Sequence, residues 1–158
     1  MIEMEPIGTV RSPRGEVEDD NWGDVVSTIE LRADLAAESL DGLDEFSHAE
    51  IIYVFDRVAP DKIVSEARHP RNNPEWPKVG IFAQRAKGRP NRIGTTITRI
   101  VKRTGRILEV AGLDAVDGTP VLDIKPVMRE FLPREVVRQP VWSRELMANY
   151  WYTQKQGS

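Results

Sequence analysis

The residues best suited to chemistry lie in one strongly basic stretch, "ARHPRNNPEWPKVGIFAQRAKGRPNRIGTT". Between Arg68 and Arg92 there are seven lysines and arginines and a single acid, Glu75, which gives a local charge of +6. Arginine presents a planar fork that matches phosphate, and the interleaved Trp76 and Phe82 offer faces on which bases can stack. This combination of charge and aromatic rings is typical of single-stranded RNA recognition.

Prolines give this basic stretch a further property. Pro70, Pro74, Pro77 and Pro90 restrict the backbone and lower the entropy cost of holding a loop in one shape. Such pre-shaping helps binding more than it helps solubility. The alternative is a solvated loop whose arginines pair with the acidic N-terminal third, where residues 1–45 hold thirteen acids and three arginines. The prolines favour the first interpretation, so the stretch is predicted to meet an anionic partner.

A second group of chemically useful residues lies in "GLDAVDGTPVLDI", which contains Asp114, Asp117 and Asp123. Asp117 and Gly118 form a strong turn signal, so a structural role is favoured for that pair. Asp114 directly follows a predicted strand, where side chains often line a site. A carboxylate there could accept hydrogen bonds from ribose hydroxyls or balance a bound cation.

Two further residues have competing interpretations. Trp22 stands beside Gly23 in the acidic loop "DDNWGD". Its indole could stack on a base or a cation, or it could anchor the loop half-buried, and the sequence does not choose between these roles. His48 lies at the start of a predicted strand in "FSHAEI", where a hydrogen-bonded position at the core edge is favoured over a catalytic role.

Several kinds of site are excluded by motif and composition. The sequence has no phosphate-binding G-x-x-x-x-G-K-[ST], no G-x-G-x-x-G after a strand and no G-x-S-x-G. It has no cysteine, and with only His48 and His69 no metal site is expected. No apolar run approaches the roughly 20 residues of a membrane helix, and "MIEMEPIGTV" is not a signal peptide. No membrane association and a cytoplasmic location are therefore expected.

The elements that must position these residues are mostly short strands. The patterns predict strands in "PIGTV", at 25–31, 49–58 and 79–84, in a hairpin made by 95–103 with 106–113, and after the turn at Asp117. Asp34 is expected to cap a short helix, "LAAESLD", and Ser143 another, "RELMANYWY". No regular element is expected within 67–78 because of its three prolines.

These elements fit a mainly β protein of one domain spanning 1–158. At least six short strands with short helices predict a small closed β-barrel with a C-terminal helical segment. A chain of 158 residues is long enough to bury a core of its own without disulfides or metal.

Four segments together resemble the TsaA-like, or TrmO-like, family of S-adenosylmethionine-dependent methyltransferases that act on tRNA. They are "PIGTVRSP", "LDEFSHAEIIYVF", "ARHPRNNPEWPKVGIFAQRAKGRPNRIG" and "GLDAVDGTPVLDIKP". The resemblance runs over 5–126, and the pairing of "FAQRAKGRPNRIG" with "LDAVDGTPVLDIKP" is specific to that family. It implies a compact β-barrel, a homodimer, S-adenosylmethionine as cofactor, and N-methylation of the threonylcarbamoyl-adenosine next to the anticodon.

The resemblance also implies which residues contact the cofactor. They fall in the Trp22-Gly23 loop, at the end of the "YVFDRV" strand, in the F-A-x-R motif, after "RPNRIG" and in "AGLD". Taken one by one, the implied cofactor contacts are Trp22, Gly23, Asp56, Arg57, Arg85, Thr95, Ala111, Gly112, Leu113 and Asp114.

Methyl transfer from a sulfonium needs neither metal nor a protein nucleophile, so the lack of cysteine is no obstacle. The enzyme must hold donor and acceptor in line and exclude water, and it needs a base for the proton of the acceptor nitrogen. His48, Asp114 and Asp117 are the candidates, and the sequence does not choose among them. The predicted RNA contacts are Arg68, Arg71, Lys87, Arg89, Asn91 and Arg92, with Arg89 and Asn91 either near the acceptor or holding the loop's shape.

The C-terminal extension, 127–158, differs from that of better-known members, which carry an additional domain there. It is rich in aromatic residues and is expected either to cover the barrel or to form a subunit interface. The difference leaves open a methyltransferase with a small-molecule acceptor. The basic stretch alone is also compatible with an RNA-binding module that has no catalytic activity.

Overall fold

The structure is a computed structural model, and it describes residues 1–153. Six strands form a closed barrel in the order β1-β2-β7-β6-β3-β8, and two short strands, β4 and β5, pair outside it. The strands are β1 (Gly8–Arg11), β2 (Val26–Leu31), β3 (His48–Val54), β4 (Ala67–Arg68), β5 (Val79–Gly80), β6 (Ile93–Thr104), β7 (Ile107–Ala111) and β8 (Pro120–Pro126). The prediction of a mainly β protein built on a closed barrel is confirmed.

Helical structure in the described residues is short. Six 3-10 turns cover Ala37–Leu40, Leu43–Glu45, Pro60–Lys62, Pro70–Asn72, Ile81–Ala83 and Arg129–Phe131, and α1 spans Val141–Leu146. The C-terminal helical segment is therefore present. The predicted domain and the predicted C-terminal extension both end at residue 158, which lies outside the described residues.

The barrel core follows from strand alternation. In β3 the residues Ala49, Ile51 and Tyr53 are at most 1% exposed, while the residues between them are partly exposed. Successive strand side chains point to opposite faces, so this alternation places one face inside the barrel. Val10, Ile29, Leu108, Val110 and Val121 complete the cluster from the other strands.

The connections that carry most of the residues predicted to bind cofactor and RNA leave the barrel at one end, which we call the loop end. Because every barrel pairing is antiparallel, β1, β3 and β7 finish there while β2, β6 and β8 begin there. The loop end thus carries the connections 12–25, 55–92 and 112–119. The opposite end carries the tight β6–β7 hairpin, in which Gly105 adopts a φ of 57°.

Three predictions of secondary structure need correction. The strand predicted at 49–58 ends at Val54, because the backbone turns when the amide of Asp56 bonds to the carbonyl of Val54 at 2.9 Å. The strand predicted at 79–84 stops at Gly80, and the amide of Gln84 bonds back to Ile81 at 3.1 Å. Residues 67–78, predicted to be irregular, include β4 and the 3-10 turn Pro70–Asn72.

Both predicted helix caps are wrong. The first helix is a 3-10 turn that begins at Ala37, and Asp34 instead accepts a hydrogen bond from Arg32 at 2.5 Å. The last helix begins at Val141 after Pro140, so Ser143 lies inside it. The hydroxyl of Ser143 donates to the Pro140 carbonyl at 2.7 Å, a bond made within the first turn.

Gly94 in β6 provides a test of the barrel's packing. It faces Tyr53 across the β3–β6 pair, and an added Cβ would lie 2.7 Å from the rings of Tyr53 and Phe55. We expect Gly94→Ala to lower the free energy of unfolding by about 1–3 kcal/mol through overpacking, measured by urea denaturation. Gly80→Ala is the control, because a Cβ there meets nothing within 4 Å. Equal midpoints for the two variants would contradict the packing described.

Candidate functional site

Asp114 lies at the centre of the loop end, three residues after β7. Its Oδ1 accepts hydrogen bonds from the hydroxyl of Tyr53 at 2.9 Å and from the hydroxyl of Thr96. Its Oδ2 accepts a hydrogen bond from the hydroxyl of Tyr150, in the C-terminal segment. Asp114, the carboxylate predicted to line a site, therefore accepts hydrogen bonds from hydroxyls of two barrel strands and of the C-terminal extension, which we call the tail.

The register of β3 and β6 positions two of these donors. Thr96 pairs with Ile51 and Gly94 with Tyr53, so Tyr53 and Thr96 both lie on the inner face of the barrel. They are 1% and 7% exposed. Because Gly94 has no side chain, the ring of Tyr53 fits against the strand and its hydroxyl reaches Asp114.

The electrostatics of this cluster fix the direction of its hydrogen bonds. Burial raises the pKa of Tyr53 well above its usual value, and the negative charge of Asp114 raises it further. The pKa of Tyr150 is raised for the same two reasons, with burial again the larger. Both phenols therefore remain protonated donors, and Asp114 remains the acceptor.

These pKa shifts predict a loss of stability in alkali. Each folded-state pKa lies above the unfolded value of about 10, so the unfolded chain releases these protons first. The stability from the neutral phenols is complete below about pH 10 and is lost as pH rises further. We expect the melting temperature to fall above about pH 10, and to fall less in Tyr53→Phe. If the phenolate absorbance of the folded protein reached its full value near pH 10, this expectation would be contradicted.

Two of the segments predicted to bind the cofactor meet beside Asp114. The amide of Gly112 donates to the carbonyl of Val25 at 2.9 Å, which joins the 112–119 connection to the loop before β2. Gly112 has a φ of 82°, and an added Cβ would lie 3.7 Å from the carbonyl oxygen of Gly23. Ala111 and Leu113 are buried beneath this contact. The "AGLD" segment and the Trp22-Gly23 loop are therefore in direct contact.

Trp22 anchors its loop. Its side chain is 2% exposed, its Nε1 donates to the carbonyl of Glu18 at 3.3 Å, and the Arg14 guanidinium lies 4.4 Å from its ring centre. The indole is fully buried rather than half-buried, and it both anchors the loop and stacks on a cation, that of Arg14. A cofactor contact at Trp22 stays a prediction.

Arg85 and Thr95 adjoin the Asp114 cluster from the other side. Arg85 donates to the carbonyl of Thr95 at 2.6 Å, and the next residue, Thr96, bonds Asp114. Arg57 donates to the carbonyls of Asp117, at 2.9 Å, and Gly15. Arg57 therefore ties two connections together at the loop end, next to the exposed Asp56.

The three candidate bases are placed very differently. His48 starts β3 at the end opposite Tyr53, five residues or roughly 16 Å away, and its Nδ1 lies 2.7 Å from the Ser47 hydroxyl. Asp117 accepts a hydrogen bond from the amide of Ser12 at 3.1 Å and precedes Gly118, whose φ is 86°. It holds a turn, as its sequence suggests. Among the three, Asp114 alone is bonded to the barrel's inner hydroxyls.

The basic stretch forms much of the 55–92 connection, so it lies at the same loop end. Arg89 donates to the carbonyl of Gln84 at 2.7 Å and Arg92 to that of Val58 at 2.9 Å. Arg71 pairs with Asp20 at 3.2 Å, in the acidic N-terminal third. Arg89 and Arg92 therefore hold the loop in shape. Arg71 instead forms an ion pair with the acidic N-terminal third, which was the alternative role for the arginines of the basic stretch.

The remaining residues predicted to contact RNA differ in their exposure to solvent. The pKa of Lys87 is lowered chiefly by burial, although the charges of Asp19 and Asp114 act in the opposite direction. Arg68 has its Nε buried and its carbonyl bonded by Gln84, whereas Asn91 is exposed. Lys87 is therefore partly buried and feels the charges of both Asp19 and Asp114.

The two aromatic residues of the basic stretch also differ. Trp76 donates from its indole nitrogen to Glu145 of α1 at 2.8 Å, so it is bound to the tail. Phe82 is 77% exposed on the 3-10 turn after β5. Phe82 is the aromatic ring that remains open for stacking.

Sequence reasoning missed Tyr53, Thr96 and Tyr150. Each looks unremarkable in its own segment, and the only signal was the aromatic content of the tail. Within residues 1–153, no group of three or more His, Cys, Asp or Glu side chains is placed to hold a metal ion. In the same described part, no helix has the length and apolar character needed to cross a membrane.

The chain is similar to several known proteins. A probable S-adenosyl-L-methionine-binding protein of Pyrococcus abyssi is 41% identical over 143 residues, which cover 87% of this chain and 74% of that protein. The human tRNA (adenine(37)-N6)-methyltransferase is 37% identical over 111 residues, 70% of this chain but only 25% of the human protein. A crystal structure of TrmO from Pseudomonas aeruginosa superposes with a TM-score of 0.71 at 28% identity, covering 87% of this chain and 61% of that one.

The family model agrees with these individual matches. The tRNA-methyltransferase O N-terminal domain matches residues 15–131, which include β2 through β8 and every residue predicted to bind cofactor or RNA. The chain therefore belongs to the TrmO-like family, through the N-terminal domain of tRNA-methyltransferase O.

Proposed function

We propose that this protein is an S-adenosylmethionine-dependent methyltransferase that modifies tRNA at N6 of adenine 37, with threonylcarbamoyl-adenosine as the acceptor. The activities for which its relatives are named support the reaction and the position. One observation carries the proposal. The "AGLD" segment, the Trp22-Gly23 loop and the Arg85–Thr95 contact meet at the barrel end that also presents the basic stretch.

The residues present fit the methyl donor. S-adenosylmethionine supplies an activated methyl group on a positively charged sulfur, and its ribose offers two neighbouring hydroxyls. Asp114 is bonded by neutral hydroxyls, so its negative charge is not cancelled by those partners. A carboxylate in this state suits either ribose hydroxyls or a nearby cation. Gly23 and Gly112 approach each other near the Asp114 segment, and neither carries a side chain.

The chain's part in the reaction is to position, to exclude water and to take a proton. The acceptor nitrogen forms a new N–C bond while the S–C bond breaks and sulfur keeps the electron pair. The nitrogen then loses a proton, and we propose Asp114 as the base or as the first group in its path. Its position supports this role, because Asp117 holds a turn and His48 lies at the opposite end of β3.

The RNA would lie across the basic stretch. Lys87 feels the charge of Asp114, Phe82 is exposed, and Asn91 lies on the loop shaped by Arg89 and Arg92. Phosphate attraction combined with stacking on an exposed ring suits an anticodon loop, whose bases are unpaired. The chain as a whole has a net charge of −3, which discourages indiscriminate binding.

We propose that the protein acts in the cytoplasm as a homodimer. The tail supports the second part, because it exposes large apolar side chains that a partner could cover. Their exposures are 86% for Phe131, 96% for Val136, 63% for Val137 and 69% for Val141. Sedimentation equilibrium tests the assembly, and a monomer at micromolar concentration would contradict it.

One experiment separates this function from its alternatives. The protein is incubated with methyl-labelled S-adenosylmethionine and either total tRNA or a metabolite extract. Label in tRNA, mapped to adenine 37 after nuclease digestion, supports the proposal. Label only in the extract indicates a small-molecule acceptor, and tRNA binding that weakens with salt but yields no label indicates a binding module without catalysis.

A further inference from the structure

The C-terminal tail lies on the residues proposed to bind the methyl donor. Successive amides of residues 21–23 donate to successive carbonyls of residues 149–151, at 3.0, 2.9 and 2.7 Å. The hydroxyl of Tyr150 meanwhile donates to Asp114. The tail therefore satisfies both the amide donors of the Trp22-Gly23 loop and the acceptor of the "AGLD" segment.

The fit between loop and tail is close. A Cβ added to Gly23 would lie 2.5 Å from the ring of Tyr152 and 2.7 Å from the carbonyl oxygen of Trp151. Tyr150 itself packs edge-on against Trp151, with ring centres 4.9 Å apart. Glycine at position 23 is what lets the tail approach this near.

The hydrogen bonds of Asp114 distinguish a fixed side from an exchangeable side. A carboxylate has about four acceptor positions, two on each oxygen. Tyr53 and Thr96 occupy those of Oδ1, and both belong to strands of the closed barrel. Tyr150 occupies one position of Oδ2 and belongs to a segment outside the barrel. Of the three donors, only Tyr150 belongs to a backbone segment that can move away without opening the barrel.

We propose that residues 149–152 are a displaceable occupant of the donor site, and that Tyr150 is a specificity-determining residue that the methyl donor must displace to reach Asp114. This inference rests on the proposed function. Withdrawal of Tyr150 leaves both positions on Oδ2 open, one for a ribose hydroxyl of the methyl donor and one for the proton of the acceptor nitrogen.

The proposal predicts that a substitution at the site strengthens ligand binding, whereas most substitutions in a binding site weaken it. When only the open fraction of the protein binds, the apparent Kd equals the intrinsic Kd divided by that fraction. Tyr150→Phe removes a hydrogen bond to a charged group, which favours the open form by about tenfold. We therefore expect Tyr150→Phe to bind S-adenosylmethionine up to about tenfold more tightly than the unaltered protein, measured by calorimetry.

The matched control is Tyr152→Phe, the same chemical change two residues away in the tail. Tyr152 is 59% exposed and contacts Gly23 through its ring, so its affinity should equal that of the unaltered protein. Unchanged or weaker binding by Tyr150→Phe would overturn the proposal while leaving the proposed function intact. No binding by any of the three proteins at millimolar concentration would instead overturn the proposed function.

A second measurement follows the tail itself. We expect S-adenosylmethionine to speed chymotrypsin cleavage after residues 150–152, relative to cleavage after Phe131, which is 86% exposed in the same tail. Tyr150→Phe should be cleaved faster even without the ligand. Protection of residues 150–152 by the ligand would show that the tail closes over the donor and would sink the proposal.

Discussion

Replacing Asp114 with asparagine is expected to raise the Kd for S-adenosylmethionine about 10- to 100-fold. A hydrogen bond to a charged group contributes about 1.5–3 kcal/mol, and 1.4 kcal/mol corresponds to tenfold. Asparagine keeps the size of the side chain and an oxygen that Tyr53 and Thr96 can still bond. It removes the charge and turns Oδ2 into a donor, so ribose hydroxyls or a sulfonium would lose their partner. Calorimetry measures this change.

The same variant is expected to lower the rate of methyl transfer further than the weaker binding explains. If Asp114 takes the proton of the acceptor nitrogen, its loss lowers kcat by roughly 10²–10⁴-fold at saturating donor. Asp123→Asn is the control, because Asp123 is an exposed β8 carboxylate whose partner is Lys125 at 3.6 Å. Activity of Asp114→Asn equal to that of Asp123→Asn would remove Asp114 from both proposed roles.

The second large effect is expected at Phe82. Stacking of a base on an aromatic ring contributes about 1–3 kcal/mol, which corresponds to roughly 5- to 100-fold in affinity. We expect Phe82→Leu to weaken tRNA binding by this amount, since leucine keeps apolar bulk but has no ring face. Phe82→Tyr should bind almost as the unaltered protein does. Filter binding or fluorescence anisotropy provides the affinities.

Salt dependence separates stacking from charge. The affinity of Phe82→Leu should fall at every salt concentration with an unchanged slope against log[salt], because no phosphate contact is lost. Phe82 is 77% exposed, so the melting temperature should hardly move. Equal tRNA affinity for the leucine and tyrosine variants would show that no base stacks on this residue.

Local patterns were enough to predict much of the barrel. The apolar, β-branched run at 49–58 predicted a buried strand, although that strand ends at Val54, and the Gly105 turn placed the β6–β7 hairpin close to its observed bounds. The position of Asp114 after a strand was likewise predicted from the sequence. These features depend on residues within a few positions of one another, which is the range over which periodicity and turn chemistry act.

The partners of Asp114 could not be predicted in this way. Tyr53 looks like any inward residue of an alternating strand, and Thr96 is one of several threonines in β6. Their meeting depends on the β3–β6 register between segments some forty residues apart, and on a tail residue still farther along. The failed Ser143 cap has a more local cause, because Pro140 starts the helix earlier than the serine would.

The seam between β1 and β8 has a consequence for biosynthesis. The first strand pairs with the last through Gly8↔Val121 and Thr9↔Pro120, so the cylinder stays open until β8 has left the ribosome. Joining such distant segments carries a large loop-closure cost and slows folding. Tyr150 emerges later still. The hydrogen bond from Tyr150 to Asp114 therefore forms only after every strand of the barrel has been made.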